Sequence, residues 1–154
     1  IETYLKNRGK WGFLYRAVDK DGDTVDFMFS AKRDRKAALR FFKKAIGSKG
    51  LPHTVTIDKS GANNAALEQI NELFLMRNLC FLFITIRQIK YLNNLVEQDH
   101  RHIKRIIKPM LGFKSFASAK ATTSGVELHH MFRKGQMVGA ANMPIWKQFY
   151  ALAA

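Results

Sequence analysis

The chain has 154 residues, 47% of them hydrophobic, which suffices for one domain with its own core and is unlike the composition of a disordered protein. Twenty-six Lys and Arg residues against twelve Asp and Glu residues leave a net charge of +14 at pH 7. That excess favours a polyanionic partner such as nucleic acid, because unscreened like charges repel one another in a compact fold. The single cysteine, Cys80, excludes an internal disulfide and a zinc site with several cysteines. No apolar stretch is long enough to span a bilayer, which takes about 20 residues, so no membrane partner is expected.

The first half of the chain predicts a layered arrangement of strands and helices. Apolar residues alternate on both sides of the acidic turn DKDGD, which indicates a hairpin of two strands. The predicted elements are strands at 10–19 and 24–30, a helix from the N-cap Asp34 to Ile46, a strand at 53–58 and a helix at 62–72. This order of strand, strand, helix, strand and helix is typical of a mixed α/β fold.

The segment from Leu73 to Ile86 is apolar on every side and has no clear period. A buried strand near Phe81–Ile86 fits its aromatic and β-branched residues best. One core can bury only part of so apolar a segment. We therefore expect an exposed apolar patch or an ill-packed loop here, and self-association of the isolated chain.

The second half is predicted to be mainly helical. A helix is expected at 95–108, where Pro109 stops it, and another from the cap Ser115 to about Arg133. The last residues have the composition of a weakly ordered tail or a docking segment. The predicted division is a core at 1–134 and a C-terminal tail at 135–154.

Two carboxylates are the strongest candidates for chemistry. Asp58 ends a predicted strand, where open α/β sheets place their ligands. Glu97 lies in the first turn of a basic helix, and its spacing puts it on one face with His100, Arg101 and Lys104. Carboxylate oxygens are the ligands that Mg²⁺ prefers. A turn or cap role for Asp58, and a helix-dipole or Arg101-pairing role for Glu97, stay open.

Basic residues on two helices are candidates for contact with phosphate. One set is packed into the helix that carries Glu97: Arg101, Lys104, Arg105 and Lys108. The other set lies largely on the polar face of the helix after Asp34: Lys36, Arg40, Lys43 and Lys44. For this second set, solvation and phosphate binding are both open. His100 and His102 point to different helical faces, which favours surface or half-buried imidazoles over a zinc site.

Several blocks of the sequence resemble one known family. The strongest are YLNNLVEQDHRHIK at 91–104, PMLGFKSF at 109–116 and GVELHHMFRKGQM at 125–137; ETY at 2–4 and TIDKSGAN at 56–63 agree with them. Together they resemble the DDE transposases of the insertion-sequence six group, in order and over nearly the whole chain.

The resemblance implies an α/β fold, an RNase-H-like integrase core with a mixed sheet flanked by helices and a truncated first strand. It implies three carboxylates that bind two Mg²⁺ ions, or Mn²⁺ as a substitute, for cleavage and strand transfer of DNA. The second family Asp falls on Asp58, the family Glu on Glu97, and the basic residue seven positions later on Lys104. The implied partners are transposon ends and target DNA in the bacterial cytoplasm, at the nucleoid. Assembly into a homo-oligomer is left open.

The sequence departs from the family pattern at three places. The first family Asp directly precedes the ETY block, and Ile1 stands there instead. Glu2 does not replace it, because neighbouring strand residues point to opposite faces. The DNA-binding region that precedes the core in such transposases is expected to be missing. Residues 59–96, 38 in number, separate Asp58 from Glu97, a few more than the family usually has.

These departures predict a fragment or a decayed copy that does not cut or join DNA. The rival hypotheses are an active nuclease or recombinase, if the chain is part of a longer intact protein, and a non-catalytic protein for DNA binding or dimerisation.

Overall fold

The computed structural model describes residues 2–89, 94–140 and 142–153, with the side chains of all of these except residues 2, 3 and 94–97. Three strands form an antiparallel meander in the order β1, β2, β3: β1 (Glu2–Asn7), β2 (Lys10–Val18) and β3 (Thr24–Ser30). Arg8 and Gly9 join β1 to β2, and both have positive φ, as a two-residue turn of this kind requires. The predicted hairpin of β2 and β3 is confirmed. Its turn is held by the Asp19 carboxylate, which accepts hydrogen bonds from the backbone amides of Asp21 and Asp23.

The middle of the chain adds two helices and a pair of parallel strands: α1 (Arg35–Lys49), β4 (Thr54–Ile57), α2 (Gly61–Met76) and β5 (Thr85–Gln88). The predicted cap is confirmed, since the Asp34 carboxylate accepts a hydrogen bond from the Ala37 amide at 2.8 Å. The apolar face of α1 packs on the meander and on α2, with Tyr15, Phe41, Leu67 and Ile57 in one buried cluster. Phe13, Tyr15 and Ala17 of β2 face this cluster.

The other face of the meander is covered by two further helices, α3 (Asn94–Ile107) and α4 (Phe116–Arg133). Ser115 caps α4 through a reciprocal bond with Ser118, as predicted. Leu14 of β2 and Phe29 of β3 pack here against Ile103 of α3 and Ala119 of α4. Leu14 and Arg16 of β2 therefore point toward α3 and α4.

The loop between α3 and α4 lies against the end of β1. The Phe113 amide donates to the Lys6 carbonyl at 2.9 Å, and the Arg8 amide donates to the Phe113 carbonyl at 3.0 Å. Gly112 has φ of +112°, and a Cβ there would lie 3.2 Å from the Lys6 carbonyl oxygen. This close approach of two backbones accounts for the glycine in PMLGFKSF.

The prediction for 73–86 was partly wrong. The helix α2 continues to Met76 instead of ending at Glu72, a short 3-10 turn follows at Cys80–Leu82, and β5 begins only at Thr85. The strand starts there because it pairs in parallel with β4, from Thr54↔Thr85 to Ile57↔Gln88. Of the predicted strand, Ile84 is buried, but Phe81 is 80% exposed.

The predicted exposure of apolar side chains in this region is confirmed. Five large apolar side chains of the apolar segment, residues 73–83, are exposed: Leu73, Leu75, Met76, Phe81 and Phe83.

The C-terminal residues contain a helix that the sequence did not predict, α5 (Ile145–Ala153). It packs on α4, where Phe149 meets Phe132 edge-to-face at 4.7 Å between ring centroids. The boundary between a core at 1–134 and a tail at 135–154 stays a prediction. The mixed α/β class, with sheets flanked by helices, is confirmed. No helix in the described ranges is long and apolar enough to cross a membrane.

Candidate active site

Asp58 directly follows β4, at the carboxyl end of the parallel pair of strands. Its carboxylate is half-buried and accepts a hydrogen bond from the Ser60 amide at 3.3 Å, in the turn that leads into α2. Within the described part of the chain it forms no ion pair, so one carboxylate oxygen is left for a ligand. Asp58 can therefore hold the turn with one carboxylate oxygen and bind a ligand with the other.

Glu97 belongs to the first turns of α3, as predicted, but its side chain lies outside the described residues. The approach of Asp58 to Glu97 therefore stays a prediction. Helical spacing places position 97 on one face with Arg101, Lys104 and Lys108, since these lie four, seven and eleven residues further on.

The basic residues of the α3 region are all exposed: Arg101, Lys104, Arg105 and Lys108. Arg101, Lys104 and Lys108 share the face of position 97, whereas Arg105 lies about 100° round the helix from Lys104. The prediction that His100 is a surface or half-buried imidazole was wrong. Its side chain is 1% exposed and points into the protein, because α3 buries the side on which Asp99, His100 and Ile103 lie.

A buried group of charged side chains lies beneath the start of α3. We call it the Arg16 cluster, and its members are Arg16, Asp99, Glu127, His130 and Lys134. The side chains of Arg16 and Glu127 are fully buried, and that of Asp99 is 7% exposed. The cluster joins β2, α3, α4 and the residue that follows α4.

Arg16 is the centre of this cluster. Its Nη2 donates to Asp99 Oδ2 at 2.6 Å and to Glu127 Oε2 at 2.8 Å, and its Nε forms an ion pair with Glu127. Asp99 Oδ1 lies 2.6 Å from Lys134 Nζ and 2.5 Å from His130 Nε2. Two cations thus face two carboxylates, a balance that offsets part of the cost of removing these charges from water.

The surroundings move the pKa values of the two carboxyl groups in opposite directions. Burial would raise the pKa of Asp99, but a hydrogen bond from Lys134, the charge of Arg16 and a hydrogen bond from His130 together lower it. Burial raises the pKa of Glu127, and Arg16 offsets this only in part. Asp99, with more donors, is therefore the firmer anion of the pair.

The histidines around the cluster are held in the neutral form. Burial, aided by the charge of Arg16, lowers the pKa of His100 to about 3. Burial also lowers the pKa of His102 and of His130, whose rings stack at 4.1 Å between centroids. His102 and His130 are half-buried.

The sequence carried a signal for the Arg16 cluster that motif reasoning missed. Arg16 sits in the middle of an apolar strand, on the same face as the buried Leu14, and an arginine there needs a buried partner. Asp99 and Glu127 are the only acidic residues after Glu97 in a strongly basic half of the chain. Pairing them with Arg16 required the fold.

The Arg16 cluster fixes the position of the α3 backbone beside Glu97. Asp99 is two residues after Glu97, so the two positions lie about 200° apart around the helix. The inward-facing Asp99 anchors α3 to β2 and α4, while position 97 stays on the side of the basic residues. The cluster itself has no vacancy for a metal, because its carboxylates face cations. Among the described residues no three His, Cys, Asp or Glu side chains form a group that could hold a metal ion.

Comparison with known proteins identifies the family. Residues 1–136 match the model of a DDE domain, of the transposase type named after IS240. The chain belongs to the DDE transposase family. The described fold is an antiparallel meander followed by a helix and by two parallel strands that a second helix connects, which agrees with the mixed α/β class that the resemblance implied.

Named relatives agree with this assignment. The transposases for the insertion sequence-like element IS431mec and for the insertion sequence element IS257 in transposon Tn4003, both of Staphylococcus aureus, are each 37% identical over 136 residues. The matches cover 88% of this chain and 57% of each relative, so the chain spans little more than half of their length. A chain of the simian T-cell lymphotropic virus intasome, solved with PP2A regulatory subunit B56 gamma, shows a weak likeness. It is 17% identical, with a TM-score of 0.47 over 68% of this chain and 37% of its own.

Proposed function

We propose that this chain is the catalytic domain of an insertion-sequence transposase that binds DNA but does not cut or join it. The observation that carries the proposal is the match to a DDE domain over residues 1–136 together with an aliphatic residue, Ile1, at the position of the first family carboxylate. The parent reaction would be metal-dependent cleavage and strand transfer between transposon ends and target DNA. Its place would be the bacterial cytoplasm, where that DNA lies.

The ligands present do not make a full metal-binding set. Asp58 has the chemistry that Mg²⁺ or Mn²⁺ requires, a strand-end carboxylate that forms no ion pair with the described side chains, and Glu97 is the second ligand in this proposal. The sec-butyl side chain of Ile1 cannot coordinate a cation. Two carboxylates without the third would hold one ion weakly and would repel each other when it is lost. We therefore derive no cleavage step for this chain.

DNA binding does not depend on the metal. Arg101, Lys104, Arg105 and Lys108 are exposed and would neutralise phosphates beside the carboxylates, with release of counterions. Because Asp99 anchors the same helix to β2 through Arg16, these side chains are presented from a fixed backbone. Binding through phosphates predicts strong dependence on salt and little dependence on base sequence.

The catalytic proposal is tested by metal binding and strand transfer together. The unmodified chain, Glu97→Gln, Ile1→Asp and Ile1→Asp/Glu97→Gln would be assayed on duplexes with transposon ends, in Mg²⁺ and in Mn²⁺. We expect no product from the unmodified chain, and Mn²⁺ affinity about tenfold higher in Ile1→Asp, since one more anionic ligand is present. Metal-dependent product from the unmodified chain that Glu97→Gln removes would contradict the proposal.

The DNA-binding proposal has a separate test. Lys104→Ala should lower the slope of log affinity against log salt by about 0.9, the share of one phosphate contact in duplex DNA. His53→Ala is a suitable control, because His53 is exposed but remote in sequence from the basic helix. An unchanged slope for Lys104→Ala would place its ammonium group in solvent.

A further inference from the structure

A basic groove that the catalytic proposal does not use runs along the outer edge of β3. It has a volume of about 790 Å³ and lies between α1 and α4, with β3 as its floor. We call it the β3 groove. Five cationic residues line it: Lys32, Lys36, Arg40 and Lys44 from the α1 side, and Lys120 from α4. Cations on both walls with few acids between them form a surface for a polyanion.

The cations on α1 are evenly spaced. Lys36, Arg40 and Lys44 follow one another at intervals of four residues, so they form one stripe along the helix. The stripe is about 12 Å long at 1.5 Å per residue. One strand of duplex DNA carries a phosphate about every 3.4 Å along its axis, so the stripe matches three to four phosphates.

Among the described residues, two acidic side chains lie near the groove, and each already has a hydrogen-bond or ion-pair partner. The Asp34 carboxylate caps α1. The Asp26 carboxylate pairs with Lys44 at 2.6 Å, while the Lys44 side chain remains half exposed. Arg40 has one weak hydrogen bond, to the Ser30 hydroxyl at 3.4 Å, and Lys36 and Lys120 are exposed. Even with both acids counted, the groove keeps an excess of positive charge.

The edge of β3 is closed to an added peptide strand. The Gln136 side chain bonds both the amide and the carbonyl of Thr24, each at 3.0 Å. Lys44 Nζ donates to the Phe27 carbonyl at 2.8 Å, and the Asp26 carboxylate accepts from the Phe27 amide. Side chains thus occupy backbone groups that strand addition would need. An acidic peptide is for this reason a poorer occupant than a nucleic-acid backbone.

We propose that the β3 groove binds the sugar-phosphate backbone of duplex DNA, as a second contact surface beside the basic face of α3. The inference rests on the proposed function for the identity of its partner, but it needs no metal and no catalysis. Helix α4 contributes to both regions: Ala119 packs with Ile103 of α3, and Lys120, the next residue, lines the groove. Phosphate contacts at the two surfaces contribute additively to the slope of log affinity against log salt.

The test compares two triple variants of equal charge. Lys36→Gln/Arg40→Gln/Lys120→Gln removes cations from both walls of the groove and spares the Lys44–Asp26 pair. Lys10→Gln/Lys20→Gln/Lys147→Gln removes three exposed cations that do not line it. Affinity for a short duplex would be measured by fluorescence anisotropy over a series of salt concentrations, after thermal unfolding has shown that both variants fold.

We expect the groove variant to lower the salt slope by about 2 to 3, at about 0.9 for each lost phosphate contact, and the control variant to lower it by less than about 1. The charge-conserving Lys36→Arg/Lys120→Arg should keep the original slope. Equal effects of the two triple variants would overturn the inference, because net charge alone would explain them. It would also be overturned if the groove variant lost affinity for a polyglutamate peptide but kept the DNA slope.

The salt slopes of the groove variant and of Lys104→Ala test this inference and the proposed α3 contact independently. A lowered slope in the groove variant with an unchanged slope in Lys104→Ala supports the groove and contradicts the α3 contact. The reverse result overturns the groove and leaves the α3 contact in place.

Discussion

Two regions of this protein reverse the usual distribution of polar and apolar side chains. In the Arg16 cluster, charged groups of β2, α3 and α4 are buried almost completely. In the apolar segment at 73–83, large hydrophobic side chains such as Met76 and Phe81 are more than three-quarters exposed. The chain therefore hides some of its most polar residues and exposes some of its most apolar ones.

The difference between these regions lies in the partners that the fold supplies. Arg16 meets carboxylates from two helices, so its burial is matched by ion pairs and hydrogen bonds. The apolar segment begins in the last turn of α2, beside the core cluster that holds Ile70 and Ile84, and of its side chains Phe74 packs against that cluster while Leu75, Met76 and Phe81 lie outside it. Burial in this protein depends on the available partner more than on hydrophobicity.

The largest effect is expected from removing the centre of the Arg16 cluster. Arg16→Met leaves the buried Glu127 carboxylate without its cation and Asp99 with fewer donors. The free energy of unfolding should fall by about 3–5 kcal/mol, as when one partner of a buried ion pair is deleted. Equilibrium denaturation in urea measures this change.

Two matched variants separate charge from packing at this position. Arg105→Met removes an exposed arginine of α3 and should change stability by no more than about 0.5 kcal/mol. Arg16→Met/Glu127→Leu removes both partners and should recover much of the loss, because no buried carboxylate is then left bare. If Arg16→Met cost no more than Arg105→Met, the cluster would contribute nothing to stability.

A smaller effect is expected from acid. The pKa of His100 is about 3 in the folded state against an ordinary 6.5, so the unfolded chain binds a proton there that the folded chain excludes. This contribution to stability is complete above pH 6.5 and is lost as the pH falls toward 3, at up to about 1.4 kcal/mol per pH unit. The lowered pKa values of His102 and His130 act in the same direction.

Glu127 opposes this trend. Its pKa is raised above the ordinary 4.5, so its contribution is present below pH 4.5 and is lost as the pH rises through the raised value. Urea denaturation at several pH values between 7.5 and about 4.5 would measure the free energy of unfolding, whose change with pH is the sum of the contributions of these histidines and of Glu127. His100→Gln should flatten the curve, and exposed His53→Gln should not. A His100→Gln curve with the same slope as that of the unmodified chain would show that His100 can be protonated within the fold.

The smallest change in stability is expected in the apolar segment. Met76→Gln/Phe81→Gln alters side chains with few partners, so the free energy of unfolding should change by no more than about 0.5 kcal/mol. Self-association should nevertheless weaken, because the exposed apolar patch shrinks. Sedimentation velocity at rising protein concentration measures both chains, with Trp146→Gln in α5 as a control at another exposed apolar site. An unmodified chain that stays monomeric would contradict the prediction of self-association.

The sequence by itself determined the features that depend on near neighbours. Asp34 and Ser115 were predicted as helix caps, and the hairpin of β2 and β3 was predicted from its alternation, because each involves residues close together in the chain. The family was also accessible, since blocks such as YLNNLVEQDHRHIK and TIDKSGAN keep their order along the chain. Asp58 and Glu97 were proposed as ligands on this ground, and that role stays a prediction.

Only the tertiary structure decided what depends on distant residues. The partners of Arg16 lie 83 and 111 residues further along the chain. The sequence around Arg16 indicates that it needs a buried partner but does not indicate which residues supply one. The start of β5 at Thr85 was set by pairing with β4, and not by the aromatic residues that precede it. His100 is buried for the same kind of reason, because the packing of α3 on the meander chose which side of that helix faces inward. The sequence pattern shows which residues a helix or strand carries. The charge and the apolar surface of the elements packed against it decide which of those residues can be buried without loss of stability.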